Sequence, residues 1–446
     1  MFWNKKRRLS DDELDLLTGE ALVDLVISWT EWCHRRVDSL HVLDGERGRR
    51  RHSIDCTPPP DPRLLVVRSD RDARALTSEN GQMIIPLAFI AKDALRHFDA
   101  RDGAGKSMPV LRSDEIARYQ LAMLEYMFKV DGVDLEDGWK DSLRDLVGSG
   151  ESVSDSDRMV ALFEKGEWKG VRVWSLSAPP SDFTRSMISN FASTFLLLGL
   201  IDSELSGTRQ VIKYSFHWKV QAPRLDRWVS PLLAIGAARR LTVDLEQPAA
   251  AGSYHFEMQT PDELECASVA IPDSDAKPVV TGGEADKTGS PVAHAHGSYT
   301  KTPSGAAEIF LRIPRRGLWL ATSMATLFTA SVVGGIVFLP WAKDVWVDAP
   351  EAATALLIAA PAVYFGLLLA SKRETSLASG PLGFLRTVLF FCTMSLFLVA
   401  ASIVGELKQP LLDLLLILVF AWTSAMALYL TAGRWLVSSL EKRRLR

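Results

Sequence analysis

Cysteine is scarce in this sequence: Cys33, Cys56, Cys266 and Cys392 are the only four in 446 residues. Thiols so few and so far apart exclude the disulfide framework of a small secreted domain. No G-x-S-x-G, H-E-x-x-H or C-x-x-C pattern occurs, which leaves the matching hydrolase, metalloprotease and dithiol chemistries without support. The basic start MFWNKKRRLS runs into the acidic DDELDLL rather than an apolar stretch, so no secretory signal is expected. A surplus of positive charge is missing too. Up to Arg316 there are 41 basic and 47 acidic residues, against 10 and 7 beyond it. A region of that sign gains no general attraction to nucleic acid, which is therefore not an expected partner.

Long apolar runs are absent as far as Arg316 and frequent after it. Four segments, 318–340, 350–370, 387–405 and 411–432, each hold about the 20 apolar residues that cross a ~30 Å hydrocarbon core. None has a charge in its middle, where one costs at least ~2.5–3.5 kcal/mol. Only Asp413 comes near, within about a turn of Pro410 at one end. Basic residues gather on one side of the predicted bundle: Arg312, Arg315 and Arg316, then Lys372 and Arg373, then Arg434 in the basic tail 434–446. Lys and Arg beside short loops stay in the cytoplasm, so both chain ends and the large soluble part are expected there, on a bacterial inner membrane. The spans lack the intramembrane acids and histidines of a transporter pathway. They offer small residues four apart instead, Ser331 with Gly335, Ala362 with Gly366 and Ala401 with Gly405, the spacing of close helix packing.

The soluble part reads as two regions. Residues 1–165 look mainly helical. Ser10 to Glu13 forms a capping box ahead of the first helix, and 84–98 and 113–129 follow as further helices. Between them the polar DGERGRRR at 44–51 and TPPPDP at 57–62 read as an exposed connection. Residues 166–316 change period. A strand at 171–176 and an apolar helix at 182–200 come first. QVIKYSFHWK then alternates from Gln210, with Val211, Lys213, Ser215, His217 and Lys219 on one face and Ile212, Tyr214, Phe216 and Trp218 on the other. Short strands at 240–245, 253–259, 264–271, 294–300 and 307–313, with a loop at 272–291, predict a small antiparallel β-sandwich. The last strand runs straight into the first span, so the β domain should sit against the membrane. The expected fold class is α+β, followed by a four-helix transmembrane bundle over 317–433.

Chemistry-bearing groups are few. ARDGAGKS at 100–107 loosely matches a phosphate-binding loop, with Gly105, Lys106 and Ser107 as its candidate contacts. It lacks the strand before and the helix after that such a loop needs, and a solvated turn is the preferred reading. Cys33, His34, His41, His52 and Cys56 are metal-binding types without zinc-site spacing. His294 and His296 share one face of a strand, with no third ligand apparent from the sequence. The expectation is thus no metal, no cofactor and no catalytic residue.

RQVIKYSFHW at 209–218 and SYHFEMQTPDELECASVAI at 253–271 resemble segments of uncharacterised actinobacterial multi-pass membrane proteins, where they precede C-terminal spans in the same way. The resemblance runs from Arg209 onward and implies a location and an architecture, without an activity. The whole predicts a non-enzymatic sensor or interaction module anchored in the lipid bilayer, acting as a homo-oligomer or on a protein partner through its cytoplasmic domain. The alternative is an oligomeric channel or membrane-perturbing effector gated by that domain.

Overall fold

The computed structural model describes residues 10–44, 47–66, 81–92, 96–149, 157–219, 239–245, 250–271, 279–280, 292–297, 305–339, 376–405, 407–408 and 410–433, with the single positions 341, 355, 359, 363, 364 and 366. Helix α1 (Asp11–Ile27) opens on the predicted capping box: the Glu13 amide donates to Ser10 Oγ at 3.3 Å and the Ser10 amide to Glu13 Oε2 at 2.8 Å. A short α2 (Trp29–Trp32) leads into an antiparallel hairpin, β1 (Cys33–Asp44) and β2 (Arg47–Cys56). Residues 45 and 46 lie outside the described ones, and 47–51 of the polar 44–51 stretch are therefore half of a strand, not a loose connection. Its disguise is chemical, because Arg50 occupies an inward position where a strand normally shows an apolar residue.

After β3 (Leu65–Val66), strands β4 (Gln82–Ala91) and β5 (Arg96–Arg101) stand where a helix was expected at 84–98. β4 is buried on both faces, so its run IIPLAFI shows no alternation and imitates a buried helix. Pro86 sits at a break in register with its neighbour, the place in a sheet that tolerates a missing N–H. Helix α3 (Ser113–Asp131) follows the predicted stripe, burying Ile116, Tyr119, Met123 and Met127, and ends at left-handed Gly132. Helices α4 (Trp139–Gly148) and α5 (Asp157–Lys165) precede a two-residue pair, β6 (Glu167–Trp168) and β7 (Val171–Arg172), in place of the longer strand expected at 171–176. The expected helix at 182–200 is helical only as α6 (Asp182–Ser193). Its apolar second half is β8 (Thr194–Asp202), paired with β4 along its length.

The later strands fall where the pattern places them: β9 (Gln210–Lys219), β10 (Arg239–Asp244), β11 (Ser253–Gln259), β12 (Glu265–Ile271), β14 (Val292–Gly297) and β15 (Ala306–Arg312). β13 (Val279–Val280) lies within the expected loop 272–291, whose remaining residues lie outside the described ones. The main sheet has six strands in the order β14-β11-β1-β2-β9-β5, all antiparallel except β1 with β11. It takes strands from both sides of residue 165. A second sheet, β10-β15-β12-β13, and a third, β3-β4-β8, are antiparallel throughout.

The inner face of the main sheet meets two different partners. Ile54, Ile212, Tyr214 and Phe216 share a core with β4, β8 and the faces of α1, α3, α4 and α6. Leu40, Tyr254, Phe256, Met258 and Ala295 share another with Leu241, Val243, Val269, Ile309 and Leu311 of the four-stranded sheet. That second core continues without a gap into Trp319, Leu382, Leu385 and Leu430 at the ends of the apolar helices.

Among the described residues, three helices are long and apolar enough to cross a membrane, over Leu318–Phe338, Leu382–Val404 and Leu411–Ala432. They belong to α7 (Leu318–Phe338), α8 (Ser376–Val404) and α9 (Leu411–Leu428) with the short π turn that extends it. Of the segment 350–370, Ala355, Ala359, Val363, Tyr364 and Gly366 are helical and the rest lies outside the described residues. Among the described residues, the small residues named from spacing show no close contact with another helix. Ser331, Ala401 and Gly405 are exposed, a Cβ on Gly335 or Gly366 would meet nothing within 4 Å, and Ala362 lies outside the described residues. The close approach is at Gly334, where a Cβ would lie 2.7 Å from the Phe420 ring. Spacing four apart marks a stripe on a helix but does not say which stripe faces a neighbour.

Candidate functional site

Alternation divides the main sheet into two faces of contrasting chemistry. Register places Arg35, Val37, Ser39 and His41 of β1 beside Asp55, Ser53, Arg51 and Arg49 of β2 on the outer face. β9 adds Val211, Lys213, Ser215 and His217 beside the same β2 residues. Asp99 and Arg101 of β5 continue the row past Ser215 and Lys213, and the His97 ring stands 4.3 Å from that of His217. On the other flank, Val37 and Ser39 lie beside His255 and Glu257 of β11, which in turn lie beside His296 and His294 of β14. Most of these side chains are exposed or half-exposed, Arg35, Arg47, Arg51, Lys213, His294 and His296 among them.

Two things distinguish this face. Among its described side chains, Arg35, Arg47, Arg49, Arg51, Arg101 and Lys213 outnumber the carboxylates Asp55, Asp99 and Glu257 two to one. Of the eight histidines in the chain, His41, His97, His217, His255, His294 and His296 all stand on it. Local polar contacts order the rows: Arg49 donates to Ser215 Oγ at 3.0 Å, Ser39 to Glu257 Oε2 at 3.4 Å, and Arg209 grips Asp55 with two bonds of 2.7 and 2.6 Å. That grip holds the Asp55 carboxyl below its ordinary value. Partial desolvation, then His97, Arg49 and Arg47, lowers His217. Desolvation, then Arg35 and the two neighbouring histidines, lowers His255. Both rings are therefore held towards the neutral form.

The inner face buries a polar network of its own. Asp38, Arg50 and His52 are 1%, 4% and 5% exposed. Arg50 forks onto Asp38 at 3.1 and 2.5 Å and also donates to the Asp244 carbonyl at 2.8 Å. Tyr254 Oη donates to the same carboxylate at 3.1 Å, and His52 Nδ1 stands 3.8 Å from it while its ring stacks 4.5 Å over Tyr214. Burial alone would raise the Asp38 carboxyl. Arg50, His52 and Tyr254 outweigh it and hold the group ionised below its ordinary value. Closed from solvent, this network ties β1, β2, β10 and β11 together and offers no approach to a substrate.

A groove of about 820 Å³ between α1, α3 and α4 is the other concavity of note. Its cations are already matched, Arg118 with Asp15 at 3.5 Å, Lys140 with Glu125 at 2.7 Å and Arg144 with Asp141 at 2.7 Å. The phosphate-loop candidates fare no better. The turn after β5 spends its amides on Asp102, whose Oδ1 accepts from Ala104 at 3.0 Å and Lys106 at 2.8 Å, while Ser107 bridges back to Arg101. Gly105 takes a left-handed conformation to close that turn, Lys106 points to solvent, and no helix begins before Ser113. Backbone amides already bound to a carboxylate cannot cradle phosphate.

The residues named for topology divide in the same plain way. Arg312 pairs with Glu265 across β15 and β12 at 2.5 Å, and Arg315 and Arg316 are exposed just before α7. Lys372, Arg373 and Arg434 lie outside the described residues. Cys33 and Cys56 are register partners across the hairpin, both buried, with desolvation raising each thiol, Cys56 to about 12. Sequence reasoning missed the outer face because it depends on register between strands as much as 218 residues apart. The outward histidine in SYHFEMQ and the pair in VAHAHG were visible, but their adjacency was not. No protein-family model and no curated protein matches this chain, so its geometry carries the functional argument.

Proposed function

We propose that this chain is a non-enzymatic, membrane-anchored interaction module. The basic outer face of the six-stranded sheet takes an acidic segment of a protein partner, and the core beneath it conveys that event to the spans. The observation that carries the reading is the shared core: Tyr254 and Phe256, directly under the outer face, belong to one cluster with Trp319, Leu382, Leu385 and Leu430 at the helix ends. Close-packed interiors transmit displacement rather than absorb it. Rows of Arg35, Arg49, Arg51 and Lys213 on neighbouring strands ~4.8 Å apart suit an extended run of carboxylates. In this reading 350–370 is a fourth span, and the soluble part and both ends face the cytoplasm of a bacterial inner membrane. The basic span flanks and the actinobacterial resemblance support that placement.

Binding of fluorescein-labelled polyglutamate to the full-length protein in detergent tests the surface. Affinity should fall steeply with salt and by roughly ten-fold or more in Arg49→Glu/Arg51→Glu. Single-stranded DNA of equal charge binding more tightly would overturn the choice of partner. Single cysteines at Ser379 and Asp348 test orientation; labelling of position 379 from outside would reverse it. Ion flux through liposomes holding the purified protein would replace the anchor with a gated channel.

A further inference from the structure

Three imidazoles meet at the β11–β14 end of the outer face, and the sequence could show only two of them. His294 and His296 stand two apart on β14, and His255 of β11 lies directly opposite His296. The ring centroids of His255 and His294 are 5.8 Å apart, those of His255 and His296 5.7 Å, and those of His294 and His296 5.7 Å. We propose that His255, His294 and His296 form a binding site for a divalent transition metal, zinc foremost.

The triangle has the size such a site requires. A point equidistant from three centroids at these separations lies about 3.3 Å from each. A metal ~2.0–2.1 Å from an imidazole nitrogen stands about 3.2 Å from that ring's centroid. The backbone already supplies the spacing, through one directly opposed cross-strand pair and one same-face neighbour, so no strand has to move. As they stand the rings are inclined to one another by only 18° to 36°, and no three ligating groups among the described residues are disposed around a metal. Closing the site takes rotation about the Cβ–Cγ bonds. That torsion is soft in histidine, and His294 and His296 are exposed.

The chemistry of the surroundings agrees. A metal takes the lone pair of an imidazole nitrogen, and three rings on one sheet face offer three such donors. Glu257 lies beside His294 in register on the same face and is held by Ser39, well placed to orient a ligating ring or to take the fourth position. Three imidazoles with one further oxygen suit zinc, nickel or copper and disfavour magnesium and calcium. The site is independent of the acidic-partner reading: it uses imidazoles rather than the basic rows, lies on other strands, and stands if that reading fails.

The experiment uses full-length protein carrying no polyhistidine tag, stripped with EDTA and dialysed against Zn²⁺ or Co²⁺, with bound metal counted by atomic spectroscopy. One metal per chain is expected, with the visible absorption of four-coordinate Co²⁺. Each of His255→Ala, His294→Ala and His296→Ala should lower affinity by roughly ten-fold or more. The pair His97→Ala/His217→Ala, which removes the other close imidazoles, should leave it unchanged. The same far-ultraviolet circular dichroism in all variants keeps folding out of the comparison. Binding that His255→Ala does not weaken, or that His97→Ala/His217→Ala weakens equally, would overturn the site. So would the absence of saturable binding in the parent protein.

Discussion

Arg50 and Arg51 are neighbours in the chain and have opposite fates. Arg50 points inward, 4% exposed, and is forked onto Asp38 beneath Tyr254. Arg51 points outward and is exposed between Ser39 and Ser215. The same contrast separates His52, stacked under the sheet on Tyr214, from His41 across the outer face. Identical side chains thus serve architecture on one face and stand open to solvent on the other. What decides between them is the parity of a position along a strand. A single-residue slip of β2 would exchange the two roles, and the Asp38–Arg50 fork is well suited to prevent it, because that slip would carry Arg50 to the outer face and leave Asp38 buried without it.

The largest expected effect follows on the inner face. Asp38→Ala leaves Arg50 buried without its carboxylate and should cost ~3–5 kcal/mol in denaturant unfolding of the detergent-solubilised protein. Replacing both partners together, as Asp38→Leu/Arg50→Leu, should recover most of that loss; if it does not, the fork is not the reason for the destabilisation. Acid supplies a milder version of the same test. Asp38 is held below its ordinary value in the folded state, so its contribution is complete above the unfolded carboxyl's titration and is lost as pH falls through the lower, folded one. The acid limb of a stability–pH curve should therefore flatten in Asp38→Asn, and an unchanged limb would assign acid sensitivity elsewhere. Third in size is a contrast in reactivity. Cys33 and Cys56 on the inner face should resist maleimide at pH 8 until the protein unfolds, since both are buried and Cys56 is pushed up to about 12. A cysteine at Ser53 on the outer face should label at once. The smallest effect belongs to Arg51→Ser, expected to shift stability by no more than about 0.5 kcal/mol. A loss as large as that at Asp38 would erase the distinction between the faces.

How far the fold could be read depended on whether a strand has one wet face. β9 was legible to its individual side chains because Ile212, Tyr214, Phe216 and Trp218 alternate with polar residues. β4 and β8 were not, since burial on both faces removes the alternation and leaves an apolar run that a helix could equally own. β2 was hidden for the converse reason: its inward positions hold Arg50 and His52, whose partners are supplied by Asp38 and Tyr214 from other strands. The apolar helices were visible from length and composition, which need no partner to be recognised. The candidate site lay beyond reach because its basic rows and its histidine triangle are created by strand order alone.

The pairing of β1 with β11 also sets a timetable. Asp38 and the tyrosine that caps it are 216 residues apart. At about 5–20 residues per second, synthesis takes roughly 10–40 s to travel from one to the other. Through that interval the emerging hairpin of β1 and β2 waits with an open edge, its internal ion pair lacking the lid that Tyr254 will provide. That edge closes only with the arrival of β11, which is made well before the first apolar helix.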